Sequence, residues 1–213
     1  MNVRRRATSD SDAARPDYTA LGEQLLAKLG IDASGSGGRH DRMNAIYKCA
    51  ENGATIFVGN NTAAKGPASE LTSRGITHVV NCTTDLKNHC AHEGKQQYYR
   101  FNIAHWSSAG ASDYRERTNE EVVAHIDRAL TWVDSALAGG GNVLIHCLAG
   151  AHRAGTTGIL CLMHKADLSA AQATAAAQAL RPIIDPIYDF EDCLRTYEVA
   201  RNARKASATD HSC

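Results

Sequence analysis

The sequence predicts a single α/β domain whose central sheet is largely parallel and is flanked by helices. Short apolar segments with strand-like patterns alternate with longer segments of helical periodicity, and this alternation is typical of a parallel sheet covered by helices. The chain has 213 residues, of which 43% are hydrophobic and 22% charged. This length and this composition suit one soluble globular domain with some peripheral sequence.

The folded unit is expected to occupy residues 43–202. Residues 1–42 are predicted to form an N-terminal tail, in which the leucine spacing favours a short helix over Tyr18–Leu29 and residues 34–38 form a Gly/Ser linker. Residues 203–213 have little apolar surface to bury, so we expect a mobile C-terminal tail there.

Within this unit, strands and helices follow one another along the chain. Apolar patterns predict extended segments over Ala54–Val58, Thr77–Cys82, Gln97–Ile103 and Asn142–His146. Helical periodicity predicts helices over Ala68–Arg74, Glu120–Ala138, Arg153 to about Lys165, Ser169–Leu180 and Asp189 to about Arg201. Asp167 is placed to cap the fourth of these helices, and Pro182 ends it.

The chain carries no net charge, because Lys and Arg total 23 and Asp and Glu also total 23. Such a balance gives no overall field that would attract nucleic acid or an anionic membrane surface, so neither is expected as a partner. No apolar run approaches the ~20 residues that a membrane span needs, and no secretory signal is visible. We therefore expect a cytoplasmic protein, with a nuclear or organellar location and the oligomeric state left open.

Seven cysteines are present, and none of them forms a Cys-x-x-Cys pair. An odd number without such pairs argues against a disulfide framework or a zinc ribbon. The histidines have no convincing ligand spacing either. We therefore expect reduced thiols, no metal ion and no cofactor.

Residues 143–156 carry the chemistry, because an apolar strand is followed there by a short turn and then by the start of a helix. Backbone N–H groups of a tight loop at a helix N-terminus favour an anion such as phosphate, since they are unpaired and lie at the positive end of the helix dipole. Gly150 permits the turn. The segment predicts an anion-binding loop made of Leu148, Ala149, Gly150, Ala151, His152 and Arg153.

Cys147 lies at the end of the strand, where the same N–H groups and the helix dipole stabilise a thiolate. The thiolate is the nucleophilic form of cysteine. Arg153 closes the loop, and its planar guanidinium can bind two phosphate oxygens at once. We therefore predict that Cys147 is a catalytic nucleophile and that Arg153 binds the phosphate and stabilises its charge during transfer.

The spacing His-Cys-x5-Arg at residues 146–153 resembles the signature of the protein tyrosine phosphatase superfamily. Residues 54–197 further resemble dual specificity phosphatases, through the segments Ile56–Asn60, Gly75–Cys82 and Arg181–Pro186. The short segment before the domain resembles that of the small atypical members. The resemblance implies a protein tyrosine phosphatase-like fold and hydrolysis, through a cysteinyl-phosphate, of phosphotyrosine and phosphoserine or phosphothreonine in phosphorylated protein substrates.

In the two-step mechanism that this resemblance implies, a carboxylic acid protonates the leaving oxygen and then activates water. The family spacing puts this acid on Trp106–Arg117, and we select Asp113, with Glu116 as the alternative. The family usually has its Asp soon after the preceding strand, whereas here residues 107–110 are inserted. The segment that carries the acid therefore departs from the family pattern.

Four further residues add to this pattern or depart from it. Ala154 stands where the family generally has Ser or Thr, and the missing hydroxyl should slow turnover of the phosphoenzyme. His146 is expected to orient the loop through hydrogen bonds and to help keep Cys147 as a thiolate. His152 either adds a pH-dependent positive charge at the pocket or is an exposed residue without a binding role. Cys82 is either an inert core thiol or a partner for oxidised Cys147.

Two alternatives to an active protein phosphatase stay open. The same chemistry could act on a non-protein phosphate, such as a glucan, a phosphoinositide or an RNA 5′ end, because Ala154 and the inserted acid segment are unusual. The anion-binding loop could instead capture phosphorylated partners without efficient turnover, although Cys147 and Arg153 argue against that hypothesis.

Overall fold

A five-stranded sheet forms the centre of the protein in the computed structural model, which describes residues 41–106 and 118–210, with side chains through residue 207. The strands are β1 (Met43–Lys48), β2 (Thr55–Gly59), β3 (Ile76–Asn81), β4 (Gln97–Arg100) and β5 (Asn142–His146). Their order across the sheet is β1-β2-β5-β3-β4. β1 is antiparallel to β2, and the other neighbours are parallel. The predicted fold class is confirmed.

Helices cover both faces of this sheet. They are α1 (Asn61–Lys65), α2 (Ala68–Ser73), α3 (Asn119–Ala138), α4 (Arg153–Ala166), α5 (Ala170–Leu180) and α6 (Asp189–Asp210), and short 3₁₀ turns occupy Ala91–Glu93 and Ile103–His105. Among the described residues, no helix is both long and apolar enough to cross a bilayer. The predicted helix Tyr18–Leu29 and the predicted linker lie outside the described residues.

The core has two layers because successive side chains of a strand point to opposite faces of the sheet. Val143 and Ile145 of β5 belong to the larger cluster, which packs under α3, α4, α5 and α6. Leu144 lies between them in sequence but belongs to the smaller cluster on the other face, with Leu71 of α2. Both faces of β5 are thus buried, and the end of β5 is fixed from both sides.

Helix α4 lies unusually close to the sheet at Gly158. A Cβ atom at this position would lie 2.7 Å from Val58 Cγ2 and 2.9 Å from Ile46 Cδ1. These distances are too short for real Cβ contacts, so any larger residue would push α4 away from β1 and β2. The close packing fixes the position of α4, and with it the position of the loop that precedes the helix.

The structure contains two elements that the sequence patterns do not predict, β1 and α1. The register of β1 shifts between Ala45 and Tyr47, so its buried residues do not alternate as in a regular strand. Helix α1 has five residues, too few to show a helical period. The extended segment predicted over Gln97–Ile103 is a strand only through Arg100, and a 3₁₀ turn begins at Ile103.

The prediction that Asp167 caps α5 is wrong. Asp167 instead ends α4 in the left-handed conformation, with φ 53°. Ser169 caps α5, because its hydroxyl accepts a hydrogen bond from the Gln172 N–H, and the Ser169 N–H donates to the Gln172 side-chain oxygen.

The predicted C-terminal tail, residues 203–213, begins as a continuation of the last helix, and its mobility stays a prediction. Helix α6 continues to Asp210, so residues 203–210 are helical, whereas residues 211–213 lie outside the described part of the chain. Lys205 pairs with Asp167, and Arg204 Nη1 donates to Asp127 Oδ2 of α3 at 2.6 Å. These contacts hold the end of α6 against the domain although it has little apolar surface.

Candidate active site

The carboxyl end of β5 lies in the middle of the sheet edge at which the parallel strands end. β5 is paired with β2 on one side and with β3 on the other. Open α/β sheets bind their ligands outside the carboxyl ends of such strands. Residues 147–152 form the loop between β5 and α4, and Cys147 at its start is 3% exposed. The predicted nucleophile therefore lies at the expected edge of the sheet.

Gly150 allows the loop to turn back toward the sulfur. Its φ is 69°, in the left-handed region that favours glycine. A Cβ atom there would lie 2.5 Å from the carbonyl oxygen of Gly59 and 2.8 Å from Arg181 Nη2. The N–H of Gly150 donates a hydrogen bond to Cys147 Sγ at 3.3 Å. The turn thus directs a backbone donor at the position where negative charge is expected.

The small side chains of the loop support its shape instead of entering the pocket. Ala149 and Ala151 are 2% and 0% exposed, and they pack against Ile183. Leu148 is half-buried, and its carbonyl oxygen accepts a hydrogen bond from the Asn61 N–H at 2.9 Å. Ligand contacts of the buried residues 149–151 would therefore come from their backbone N–H groups.

Arg153 is the first residue of α4 and is 6% exposed. Burial is the largest influence on the pKa values of His146 and Cys82. The positive charge of Arg153 has a smaller influence and lowers both pKa values. The N-terminus of the 14-residue helix α4 also bears partial positive charge. The structure therefore brings Cys147, Arg153 and the positive end of a helix together.

His146 is fully buried immediately before the nucleophile. Burial lowers the pKa of this imidazole to about 3, and the charges of His89, Arg100 and Arg153 lower it further, while the Cys147 backbone opposes the shift. Neither ring nitrogen has a well-formed hydrogen bond within the described parts of the chain. The expected hydrogen bonds to the loop are thus not found there, and the role of His146 beside the thiolate stays a prediction.

His152 is 5% exposed, so its interpretation as an exposed loop residue is wrong. Its ring Nδ1 donates a hydrogen bond to the carbonyl oxygen of Asp185 at 2.7 Å, and the N–H of Asp185 donates to the carbonyl oxygen of Ala151 at 3.4 Å. The loop is therefore tied to a segment 33 residues further along the chain. A positive charge of His152 at the pocket stays a prediction.

Arg181 is a supporting residue that sequence reasoning did not assign to the site. It is 2% exposed, and its Nε donates to the carbonyl oxygen of Gly150 at 3.0 Å, while Nη2 donates to that of Ala149 at 3.4 Å. Its Nη1 donates to the carbonyl oxygen of Asp41 and to Asn44 Oδ1 at 3.1 and 2.5 Å. Arg181 thus joins the loop to β1. An arginine directly before Pro182 was visible in sequence, but its burial was not.

Electrostatics also connect Arg181 to the nucleophile. Burial lowers the pKa of Arg181 to about 10, and the charge on Cys147 opposes this shift. The guanidinium stays protonated at neutral pH, because that value is well above 7. Its hydrogen-bond acceptors are backbone carbonyls and an amide, so its electrostatic partners are the charges of Cys147 and Asp41, which both oppose the lowering of its pKa.

Cys82 is completely buried next to the site. Its Sγ donates to Thr157 Oγ1 at 3.4 Å, and burial raises the pKa of the thiol strongly, with a further contribution from Cys147. Cys82 is thus a neutral thiol, as in the interpretation of an inert core residue, and its role toward oxidised Cys147 stays a prediction. Within residues 41–106 and 118–210, no cluster of three or more metal-binding side chains occurs.

Both candidates for the general acid, Asp113 and Glu116, lie outside the described residues. The chain on either side of their segment is anchored: Trp106 Nε1 donates to Asp189 Oδ2 of α6 at 3.1 Å, and the Thr118 hydroxyl caps α3. The choice between Asp113 and Glu116 stays a prediction.

Ala154 is fully buried in the first turn of α4. The nearest hydroxyls of the helix donate to backbone carbonyls, from Thr156 to His152 at 2.8 Å and from Thr157 to Arg153 at 2.9 Å. Both hydroxyls are therefore engaged within the helix, and neither replaces the hydroxyl that Ala154 lacks.

Comparison with known proteins agrees with this geometry. The family model "Dual specificity phosphatase, catalytic domain" matches residues 56–200. Dual specificity protein phosphatase Mpk3 of Drosophila melanogaster is 28% identical over 158 residues, which cover 74% of this chain and 36% of that protein. Dual specificity protein phosphatase 1 of Arabidopsis thaliana is 28% identical over 135 residues, which cover 63% of this chain and 61% of that protein. The chain thus matches only about a third of the Drosophila relative.

Solved structures show the same fold. Human DUSP28 superposes with a TM-score of 0.58 at 23% identity, covering 76% of this chain and 96% of that one. A mouse protein described as a dual specificity phosphatase complexed with zinc tungstate superposes with a TM-score of 0.59 at 23% identity, covering 80% of this chain and 96% of that one. These similarities identify the fold that carries the loop.

Proposed function

Because this chain belongs to the dual specificity phosphatase family, whose members are phosphoric monoester hydrolases, we propose that it hydrolyses phosphomonoesters in phosphorylated proteins with Cys147 as its nucleophile. One observation carries the proposal. Cys147 Sγ accepts a hydrogen bond from a loop N–H at the start of the helix that begins with Arg153. A thiolate and a phosphate dianion are the anions that such a loop stabilises.

The proposed reaction has two steps. The Cys147 thiolate attacks phosphorus while the bond to the leaving oxygen breaks, and Asp113 gives its proton to that oxygen. Water then attacks the phosphocysteine and gives a proton to the Asp113 carboxylate, and phosphate leaves as the thiolate is regenerated. His146 is neutral because its pKa is about 3, so at neutral pH it has no imidazolium proton with which to act as the general acid.

Arg153 and the loop N–H groups supply the charge stabilisation in both steps. A guanidinium can form two parallel hydrogen bonds to the equatorial oxygens of the phosphoryl group, and this contact strengthens as charge shifts in the transition state. Ala154 offers no hydroxyl to the second step. We therefore propose that hydrolysis of the phosphocysteine limits the rate.

Phosphotyrosine together with phosphoserine or phosphothreonine is the proposed substrate class. The names of the relatives from Drosophila melanogaster and Arabidopsis thaliana support this class, since both are dual specificity protein phosphatases. No observation on the described residues favours a glucan, a phosphoinositide or an RNA end.

The first experiment measures phosphate release from an aryl phosphate and from phosphotyrosine and phosphothreonine peptides. We expect wild-type turnover on all three and no turnover by Cys147→Ser, because a hydroxyl lacks the nucleophilicity of a thiolate at neutral pH. Cys49→Ser is the matched control, since Cys49 follows the end of β1 that lies away from the loop. Its Sγ donates a hydrogen bond to Glu51 Oε2 at 2.7 Å. Turnover that survives in Cys147→Ser would refute the proposed nucleophile.

A parallel comparison of Asp113→Asn with Glu116→Gln tests the acid. The variant that lacks the true acid should lose more kcat/KM on the phosphothreonine peptide than on the aryl phosphate, because an alkoxide leaving group needs protonation more than an aryl oxide does. Equal losses on both substrates for both variants would remove these residues from the mechanism.

A further inference from the structure

A cluster of basic side chains lies beside the active-site loop, on the two segments that follow β2 and β3. It consists of Lys65 at the end of α1 and of Lys87 and His89 in residues 82–90, and we call it the basic rim. Burial lowers the pKa of His89, and the charges of Lys65 and Lys87 lower it further. Both ammonium groups are thus near enough to His89 to act on it.

The basic rim is connected to the loop by two successive hydrogen bonds. The Asn61 N–H donates to the carbonyl oxygen of Leu148 at 2.9 Å, directly after the nucleophile. The Asn61 side-chain oxygen lies 3.2 Å from Nε2 of His89. Lys65 is one turn after Asn61, on the same face of α1. The rim therefore borders the side of the pocket at which Leu148 lies.

Two contacts hold the segments of the rim together. The first is the His89–Asn61 hydrogen bond, and the second runs from Cys90 Sγ to the carbonyl oxygen of Gly66 at 3.6 Å. On the first segment the contacting residues, Asn61 and Gly66, lie on either side of Lys65. On the second segment they come shortly after Lys87. The two lysines are therefore kept near each other by the backbone and not by their own side chains.

The segment that carries Lys87 is also held by side chains of β3 and β4. Asn81 Nδ2 donates to the carbonyl oxygen of Leu86 at 2.9 Å and to Asn88 Oδ1 at 3.0 Å. Arg100 Nη1 donates to the carbonyl oxygen of Thr83 at 2.6 Å. Residues on both sides of Lys87 are thus tied to β3 and β4, so a ligand would find the segment already ordered.

Within residues 41–106 and 118–207, the lysines of the rim have no carboxylate partners of their own. Among the ion pairs of the described residues, none involves Lys65 or Lys87, and both side chains are exposed. Residues 82–90 contain a single acidic residue, Asp85. The rim is thus a local excess of positive charge on a chain whose net charge is zero.

We propose that the basic rim is a subsite that binds a second anionic side chain of the substrate, close in sequence to the phosphorylated residue that occupies the loop. This proposal rests on the proposed function, because it names a feature of the substrate of the same site. The anionic group is either a second phosphate or an Asp or Glu carboxylate, since both pair with exposed lysines. Substrate proteins with a neutral residue at the position that faces the rim would be poorer substrates.

The test compares three phosphotyrosine peptides that differ only in the flanking residues, which are neutral, acidic or phosphorylated on threonine. For the wild type we expect kcat/KM to be about threefold to tenfold higher on one or both anionic peptides than on the neutral one, as two exposed ion pairs allow. Raising the ionic strength should reduce that ratio, because salt screens exposed charges.

The double variant Lys65→Gln, Lys87→Gln should bring this ratio close to one. Lys48→Gln is the matched control, because Lys48 is an exposed lysine at the end of β1 away from the loop, and it should keep the wild-type ratio. A preference for the phosphorylated peptide alone identifies a phosphate subsite, and an equal preference for both identifies a general anion subsite. The proposal is overturned if the wild type shows no preference for the anionic peptides. It is also overturned if the double variant keeps the wild-type preference.

The same peptides also distinguish a failure of the subsite proposal from a failure of the proposed function. Should the wild type hydrolyse none of them, the proposed function fails, and the affinities of the peptides for Cys147→Ser then decide the subsite. A tighter Kd for the anionic peptides that disappears when Lys65 and Lys87 are also replaced by Gln supports the rim as a binding site. Equal Kd values for the three peptides contradict it.

Discussion

The buried imidazole of His146 lies in an environment very different from that of a histidine in water. It is fully buried, and burial lowers its pKa from 6.5 to about 3. An interior histidine of this kind costs stability in acid, because the unfolded chain can take up a proton that the folded protein refuses. The residue next to the nucleophile therefore makes the whole domain sensitive to acid.

We expect the free energy of unfolding to fall as the pH falls from about 6.5 toward about 3, by at most about 1.4 kcal/mol per pH unit from this residue alone. The sign follows from the depressed pKa: in this window the unfolded state binds the proton and the folded state does not. Urea unfolding at several pH values, for wild type, His146→Asn and His146→Gln, measures the effect. Both variants should show a shallower dependence on pH, and an unchanged slope would contradict the buried neutral imidazole.

The residues of the loop could be predicted from sequence to different degrees, and the reason is how local their determinants are. Cys147, Gly150 and Arg153 stand at fixed spacing in one strand-turn-helix segment, so the order of residues suffices to place them. His152 depends on a carbonyl oxygen 33 residues away, and its burial could not be foreseen from its neighbours. Neither could the complete burial of the His146 ring, because it depends on the packed interior and not on its sequence neighbours.

At the scale of elements, the segment after α5 holds the active-site loop in place through Arg181. This single side chain bonds to the backbone of Ala149 and Gly150 on one side and to Asn44 of β1 on the other. Its charge also interacts with Cys147. The side chain therefore combines a positioning role with an electrostatic one, and the two roles can be separated by substitution.

Arg181→Met should slow alkylation of Cys147 by iodoacetamide at neutral pH severalfold, because loss of a nearby positive charge reduces the fraction of thiolate. Arg181→Lys should recover part of that rate, since it keeps the charge while losing the planar set of donors. The alkylation rate is measured beside circular dichroism spectra of each variant. If Met and Lys at this position give the same rate in folded protein, Arg181 has only a structural role.

The elements themselves were largely predictable where their patterns are long. Helix α3 and strand β5 agree with their predicted ranges to within a residue, because 20 residues of helical period and a continuous apolar strand are strong signals. β1 was missed because its bulge breaks the alternation, and the end of α6 was missed because ion pairs instead of apolar contacts hold it. Such tertiary contacts leave no period in the sequence.

At the scale of the whole molecule, the fold concentrates positive charge at one edge of the sheet. Arg153, Arg181 and the N-terminus of α4 converge on the loop, and both guanidinium groups are buried. Buried like charges oppose folding, and an anion bound among them offsets that cost. The stability of the domain should therefore depend on the concentration of phosphate-like oxyanions.

Tungstate at about 100 times its Kd should add roughly 2.7 kcal/mol to the free energy of unfolding, which for a chain of this length raises Tm by roughly 5 to 10 °C. Thermal unfolding followed by circular dichroism, with and without tungstate at constant ionic strength, measures the shift. Arg153→Met should lose most of the shift, and Lys48→Gln should keep it. A shift of equal size in Arg153→Met would place the bound anion elsewhere.

The contacts of Arg181 also determine when the active site forms during folding. Arg181 joins residues that are 31 and 137 positions apart from it in the chain. Contacts of such long range form late, since closing a long stretch of chain costs entropy before the contact can stabilise it. We therefore expect a newly made or partly folded chain to lack the anion-binding loop that follows Cys147. The site that we propose for phosphate hydrolysis would then be assembled only when folding is complete.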